Sequence, residues 1–176
     1  MKNTILLLLT LFTLSCCKND DDTQTNPIDQ LPPATQVGAN TFGCLLDGQA
    51  FLPAYSSNPL DCVYQFVSGG YHFALQGNRR DQNNNSTLIG LSTNDLEINE
   101  NQTYQLYENI ALNAYGTYAF NAIFSETTHI NTGELTITKL DTTNQIVSGT
   151  FWYDVIDFQG NLHHIREGRF DMQYTQ

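Results

Sequence analysis

Ile146-Val147-Ser148-Gly149-Thr150-Phe151-Trp152-Tyr153-Asp154-Val155-Ile156 is followed by Asp157-Phe158-Gln159-Gly160 and then by a second long run, Leu162 to Tyr174. Phe151, Tyr153 and Val155 alternate with Trp152 and Asp154, and Phe170, Met172 and Tyr174 alternate with Arg169 and Asp171. Successive side chains of a strand point to opposite faces, so a period of two marks strands with one apolar face. The Asp-x-x-Gly stretch between them supplies turn chemistry. Two long paired strands are the consequence.

The same pattern extends towards the N-terminus. Strands are predicted over Thr41–Leu46 and Gln49–Pro53 around Asp47-Gly48, the two-residue signal of a tight hairpin. Cys62–Val67 and Tyr71–Gln76 flank Ser68-Gly69-Gly70. Further strands are predicted at Thr87–Leu91, Tyr118–Phe124 and Glu134–Leu140, with a helical turn over Asp95–Glu100 and an exposed loop over Asn78–Ser86. So many short segments of period two, with almost no helix, specify an all-β domain over residues 41–176. The expected form is a single antiparallel β-sandwich or calycin-like barrel of about eight to ten strands.

The N-terminus has a different logic. Lys2 precedes an apolar run from Ile5 to Leu14 that is too short to span a bilayer, which takes about 20 apolar residues, and that matches a secretory signal, residues 1–15. Ser15-Cys16-Cys17 follows it at once, as in lipoprotein signals, where a cysteine thiol takes a diacylglyceryl group before cleavage. Cys16 is the expected lipidation site and Cys17 the alternative. A lipidated cysteine replaces the lost apolar helix as membrane anchor, each buried CH2 contributing about 0.8 kcal/mol. Residues 16–40 then read as a lipidated end and flexible linker, acidic at first and Pro-containing later. Lys18 and Asp20–Asp22 resemble the export tag of Bacteroidota surface lipoproteins, which implies the outer face of the outer membrane; display on the periplasmic face is the alternative.

Removal of the signal leaves six basic against 18 acidic residues, a net charge of −12 with neutral histidines. Such a surface repels nucleic acid and anionic headgroups. Cys44 and Cys62 are an even pair in an exported chain, so a disulfide between them is expected. His163-His164 catches the eye as a metal pair, but neighbouring strand residues face opposite ways and cannot clamp one ion. Asp154 and Asp171 could be imagined as a hydrolytic carboxylate pair, although a pair of exposed strand carboxylates is the commoner explanation. No nucleophile elbow, phosphate loop or dinucleotide fingerprint is present. No catalytic residue, metal or cofactor is therefore expected. Trp152, Tyr55 and Tyr115 are the candidate ligand contacts, because each is an aromatic ring among polar neighbours; for Trp152 the competing reading is burial on both faces of its strand.

Leu31-Pro32-Pro33-Ala34-Thr35-Gln36 with Gly38-Ala39-Asn40-Thr41-Phe42-Gly43-Cys44 resembles the entry motif of a family of Bacteroidota lipoproteins. Gly133–Lys139, Ser148-Gly149-Thr150-Phe151 and Gly168-Arg169-Phe170-Asp171 resemble its far end. The resemblance implies a β-rich domain on a lipid anchor and brings no activity with it. Asp141-Thr142-Thr143 resembles a Bacteroidota O-glycosylation site at Thr142, and is also good turn sequence. The functional expectation is a binding or interaction module for a glycan, a small apolar ligand or an envelope protein. A structural accessory subunit of an outer-membrane complex, or a hydrolase, is the alternative.

Mass spectrometry of the mature protein should find acyl chains on an N-terminal Cys16. An unmodified N-terminus at any other position would remove the anchor.

Overall fold

A computed structural model describes residues 26–176, so the signal run and both Cys16 and Cys17 lie outside the described residues. A 3-10 turn, Pro27–Gln30, opens the described part, with Asn26 capping it through its side chain. Eleven strands follow: β1 (Thr41–Leu46), β2 (Gln49–Phe51), β3 (Leu60–Val67), β4 (Gly70–Arg80), β5 (Ser86–Asn94) and β6 (Gln102–Leu106). The second half contributes β7 (Asn113–Phe120), β8 (Ile123–Glu126), β9 (Gly133–Asp141), β10 (Ile146–Ile156) and β11 (Leu162–Gln173).

All eleven belong to one sheet, in the order β2-β1-β11-β10-β9-β6-β7-β5-β4-β3, with β8 beside β7. The sheet is mixed rather than purely antiparallel, because β6 meets β7 in parallel at Leu106 and Ala114. It curls until its ends approach, through isolated bridges from Ala54 to Arg79 and from Val63 to Thr175, without closing into a barrel. One folded sheet thereby supplies both layers of a sandwich. Phe73 of β4 lies 6.2 Å from Phe170 of β11, ring centre to ring centre, across the interior. Tyr153 is fully buried and donates from its hydroxyl to the Thr117 carbonyl at 2.6 Å, tying β10 to β7 across the core. A buried tyrosine keeps its full apolar contribution only when its hydroxyl finds such a partner.

Burial follows the period of two. Val147, Phe151, Tyr153 and Val155 enter the core from β10, and Ile165, Phe170 and Met172 from β11. The two motifs at the far end of the chain turn out to be partners. Gly149 pairs with Phe170 and Phe151 with Gly168 in the β10–β11 ladder. A Cβ on Gly149 would meet the Phe170 ring at 2.7 Å, and one on Gly168 would meet the Phe151 ring at 2.6 Å. Each ring lies where its cross-strand neighbour has no side chain. Ring over glycine is how two large aromatics share a narrow ladder.

Asp171 pairs with Ser148 on β10 and with Thr41 on β1, and is fully buried. Its carboxylate accepts from Ser148 Oγ at 2.8 Å, Thr35 Oγ1 at 2.6 Å, and the backbone N–H groups of Val37, Gly38 and Ala39 at 3.0, 2.8 and 3.2 Å. Asn40 accepts from the Gln173 backbone at 2.9 Å. Residues 26–40, expected as the distal part of a linker, are therefore held on the domain, with Leu31 buried.

Several expectations need correction. Tyr118–Phe124 is not one strand: Asn121 and Ala122, both at positive φ, turn the chain from β7 into β8. β6 and the first half of β7 were not expected, and Asp95–Glu100 forms no helical turn. β4 runs on to Arg80, so only Asp81–Asn85 of the exposed loop is loop. The count is eleven rather than eight to ten. Cys44 and Cys62 form no disulfide and are separate buried thiols. Their strands are not hydrogen-bonded to each other: β1 pairs with β2 and β11, while β3 pairs with β4.

Burial pushes both thiols well above the ordinary range. Alkylation without reductant should leave Cys44 and Cys62 unmodified in the folded protein and modify both after denaturation. Resistance in denaturant would restore the disulfide. Burial tends to raise the Asp171 pKa, but the hydrogen bonds from Thr35, Val37, Ser148 and Gly38 outweigh it and bring it to about 2. A carboxylate with a depressed folded pKa stabilises above its unfolded value, near 3.9, and loses that contribution as pH falls towards the folded one. Unfolding free energy should drop by roughly 2 kcal/mol more in the wild type than in Asp171→Asn between pH 5 and 2. Parallel acid titrations of the two proteins would refute the clamp.

Candidate functional site

The outer face of β9, β10 and β11 carries two parallel rows of side chains, set by register. In the first, Gln105 of β6 opposes Glu134 of β9, which opposes Trp152 of β10. Gln105 Nε2 donates to Glu134 Oε1 at 3.0 Å, and Trp152 Nε1 to Glu134 Oε2 at 3.3 Å. In the second, Thr103 opposes Thr136, Thr136 opposes Thr150, and Thr150 opposes Arg169 of β11. The Thr103 and Thr136 hydroxyls share a hydrogen bond at 2.9 Å. Over the two rows lies an open groove of about 370 Å³, lined by Glu134 and Trp152 of the first and by Thr136, Thr150 and Arg169 of the second.

A β-bulge shapes its far wall. The β10–β11 register slips between Phe151 and Tyr153, and Glu167 adopts φ 54°. Among the described non-glycine residues with positive φ, Glu167 alone lies inside a strand. A bulge re-aims the side chains beside it. Here Arg166 swings over Trp152, its guanidinium carbon 5.2 Å from the ring centre. Arg166 also donates to Asp154 Oδ1 at 2.6 Å and to the carbonyls of Tyr153 and Ile165 at 3.0 and 2.8 Å. Both terminal nitrogens of Arg166 are thus committed. Arg169 is not: its guanidinium has only the Glu167 carboxylate at 3.7 Å and the Glu167 carbonyl at 3.3 Å. Ala34 of the entry segment, clamped by Asp171, completes the rim.

Trp152 is 36% exposed, so the reading that buries both faces of its strand is not realised. Tyr115 lines a different groove of about 250 Å³ on the outer face of β4, β5 and β7, beside Phe124 and Gly90. Tyr55, at φ 55° and 89% exposed, stands apart from both. The three aromatic candidates do not converge. The residues that join Trp152 are Glu134, Arg166, Glu167 and Arg169, which sequence reasoning did not single out. A signal existed, since Arg166 and Arg169 are two of only seven basic residues and fall within four positions.

His163 and His164 face opposite ways, as alternation requires. His163 Nδ1 lies 2.7 Å from Asp47 and its Nε2 3.3 Å from Asp157, with its ring stacked on Tyr118 at 4.4 Å. His164 Nδ1 lies 2.7 Å from Asp154. Asn161 side-chain and backbone donors outweigh the cost of burying the Asp157 carboxyl and take it down to about 2. These contacts tie the β1–β2 turn to the β10–β11 hairpin. No group of three His, Cys, Asp or Glu side chains among the described residues is placed to hold a metal ion. Asp154 and Asp171 do not pair either: Asp154 lies six positions from Ser148, the partner of Asp171, which is about 20 Å along a strand. Thr142 lies exposed in the β9–β10 turn, whose Asp141 carboxylate accepts from the Thr143 and Asn144 backbones at 3.0 and 2.9 Å.

Comparison with protein-family models, curated proteins and solved structures finds no match to this chain.

Proposed function

We propose that this chain is a lipid-tethered protein of the outer membrane, displayed at the cell surface, whose β domain is a binding module working through the Trp152 groove. The observation that carries the reading is the Trp152 ring, about a third exposed, held at its Nε1 by Glu134 and covered in part by Arg166, beside a polar floor. A ring fixed by two partners before any ligand arrives presents a rigid platform, and preorganisation lowers the entropy lost on binding. The interior of the sheet does not compete for this role, because Tyr153, Phe51, Phe73 and their neighbours fill it. The Ser15-Cys16-Cys17 segment behind an apolar run, and the Lys18, Asp20–Asp22 tag, support the anchor and its placement.

A second reading has its own support. Ile156, Phe158 and Leu162 are each about half exposed on the β10–β11 hairpin, an apolar tip suited to docking in a larger complex. The two readings separate in one experiment. The intact lipoprotein is used to capture partners from its own envelope, with glycan and protein readouts, alongside Trp152→Ala and Phe158→Asp. The proposal expects Trp152→Ala to lose the captured species and Phe158→Asp to keep it; the reverse result assigns the accessory role. Protease added to intact cells should cleave the domain, whereas cleavage only after lysis would place it on the periplasmic side.

A further inference from the structure

The groove offers an incoming ligand a specific set of groups, and two of its four charged side chains are already engaged. Glu134 is engaged by Gln105 and Trp152, and Arg166 by Asp154, two carbonyls and the Trp152 ring. What remains is the third of the Trp152 surface left uncovered, the hydroxyl of Thr150, and the loosely associated pair of Arg169 and Glu167. Glu167 is largely exposed and stands 3.7 Å from Arg169, beyond hydrogen-bond reach. A guanidinium with free N–H groups, 22% exposed at the side of a groove, recognises a planar anion in two-point fashion.

The shape sets the rest of the ligand. An open groove with threonines along its floor buries too little apolar surface to hold a hydrocarbon ligand, since such ligands need enclosure. It suits a molecule with an apolar face for the ring and hydroxyls for its surroundings. Pyranose rings have both: axial C–H groups stack on an indole, and equatorial hydroxyls reach side-chain acceptors such as Glu167. Arg169 is the one cation lining the groove that has no carboxylate within hydrogen-bond reach, which argues for a single anionic group, and the strongly acidic chain repels polyanions. From this juxtaposition we infer that the Trp152 groove binds a saccharide bearing one carboxylate, with the sugar face on Trp152 and the carboxylate on Arg169.

This inference rests on the binding-module reading, and its test is built to fail separately. Trp152 is the only tryptophan of the chain, so indole emission reports on this groove and nowhere else. The full-length lipoprotein in neutral detergent is titrated with glucuronosyl- and galacturonosyl-terminated disaccharides. Each is matched with its carboxyl-reduced neutral twin. At least one acidic probe should change the emission and saturate, binding about tenfold more tightly than its twin, the order of one charge-assisted hydrogen-bonded pair. Arg169→Met should remove that preference without weakening the neutral twin, and Arg169→Lys should keep part of it. Glu167→Gln, which takes away the competing carboxylate, should tighten the acidic probe several-fold, and this arm stands even where Arg169→Met fails to fold. Equal binding of acid and twin, or a preference that survives Arg169→Met, overturns the carboxylate assignment and leaves the module. No response to any probe, with none by calorimetry, overturns the saccharide assignment. Loss of envelope capture by Trp152→Ala then decides separately whether the groove binds anything.

Discussion

A buried carboxylate tolerates its surroundings only when its lone pairs are filled, and Asp171 fills them with donors from two distant parts of the chain. Five hydrogen bonds converge on it, from Ser148 on β10 and from Thr35, Val37, Gly38 and Ala39 on the entry segment. The consequence is mutual dependence. The segment before β1 stays on the sheet because the carboxylate needs its N–H groups, and the carboxylate can be buried because they are there. A neutral isostere would leave donors without an acceptor, which is why a single proton matters at this position.

The same ladder explains the narrowness of the register. Ser148 opposite Asp171, Gly149 opposite Phe170, Thr150 opposite Arg169 and Phe151 opposite Gly168 form four consecutive cross-strand pairs. A slip by one residue would put Phe170 against a side chain in place of a glycine and take Asp171 away from its serine. It would also turn the apolar face outwards, since strand side chains alternate. The pairing is therefore over-determined. It carries into the outer face, where Thr150 and Arg169 form one end of the groove floor.

Just past those four pairs the register breaks, and the break builds the site. The bulge at Glu167 brings Arg166 over Trp152 and sets Glu167 beside Arg169. Positive φ at a non-glycine residue within a strand carries a conformational cost. It is sustained here by rigid pairs on one side and by the committed Arg166 on the other. The groove is thus a product of a regular stretch of ladder and a bulge lying end to end.

The sequence alone determined the class of fold and most of the strands, because alternation over β10 and β11 and the turn residues around Asp47-Gly48 and Ser68-Gly69 are local properties of the chain. It also marked both halves of the clamp as motifs, without showing that they meet. What stayed hidden had non-local causes. β6 has few apolar residues to announce it, and its pairing with β9 and β7 depends on long-range register. The split of Tyr118–Phe124 depends on Asn121 and Ala122 at positive φ; asparagine tolerates that region, but alanine beside it is no turn signal. Cys44 and Cys62 looked like a pair because an even cysteine count says nothing about which strands the fold makes neighbours. Trp152 could be suspected from alternation, but Glu134, Arg166 and Arg169 reach it only through cross-strand pairing and a bulge. Which residues share a face is written in the chain; which faces meet was decided by the curl of the sheet, since side-chain packing and carboxylate desolvation act between segments over a hundred residues apart.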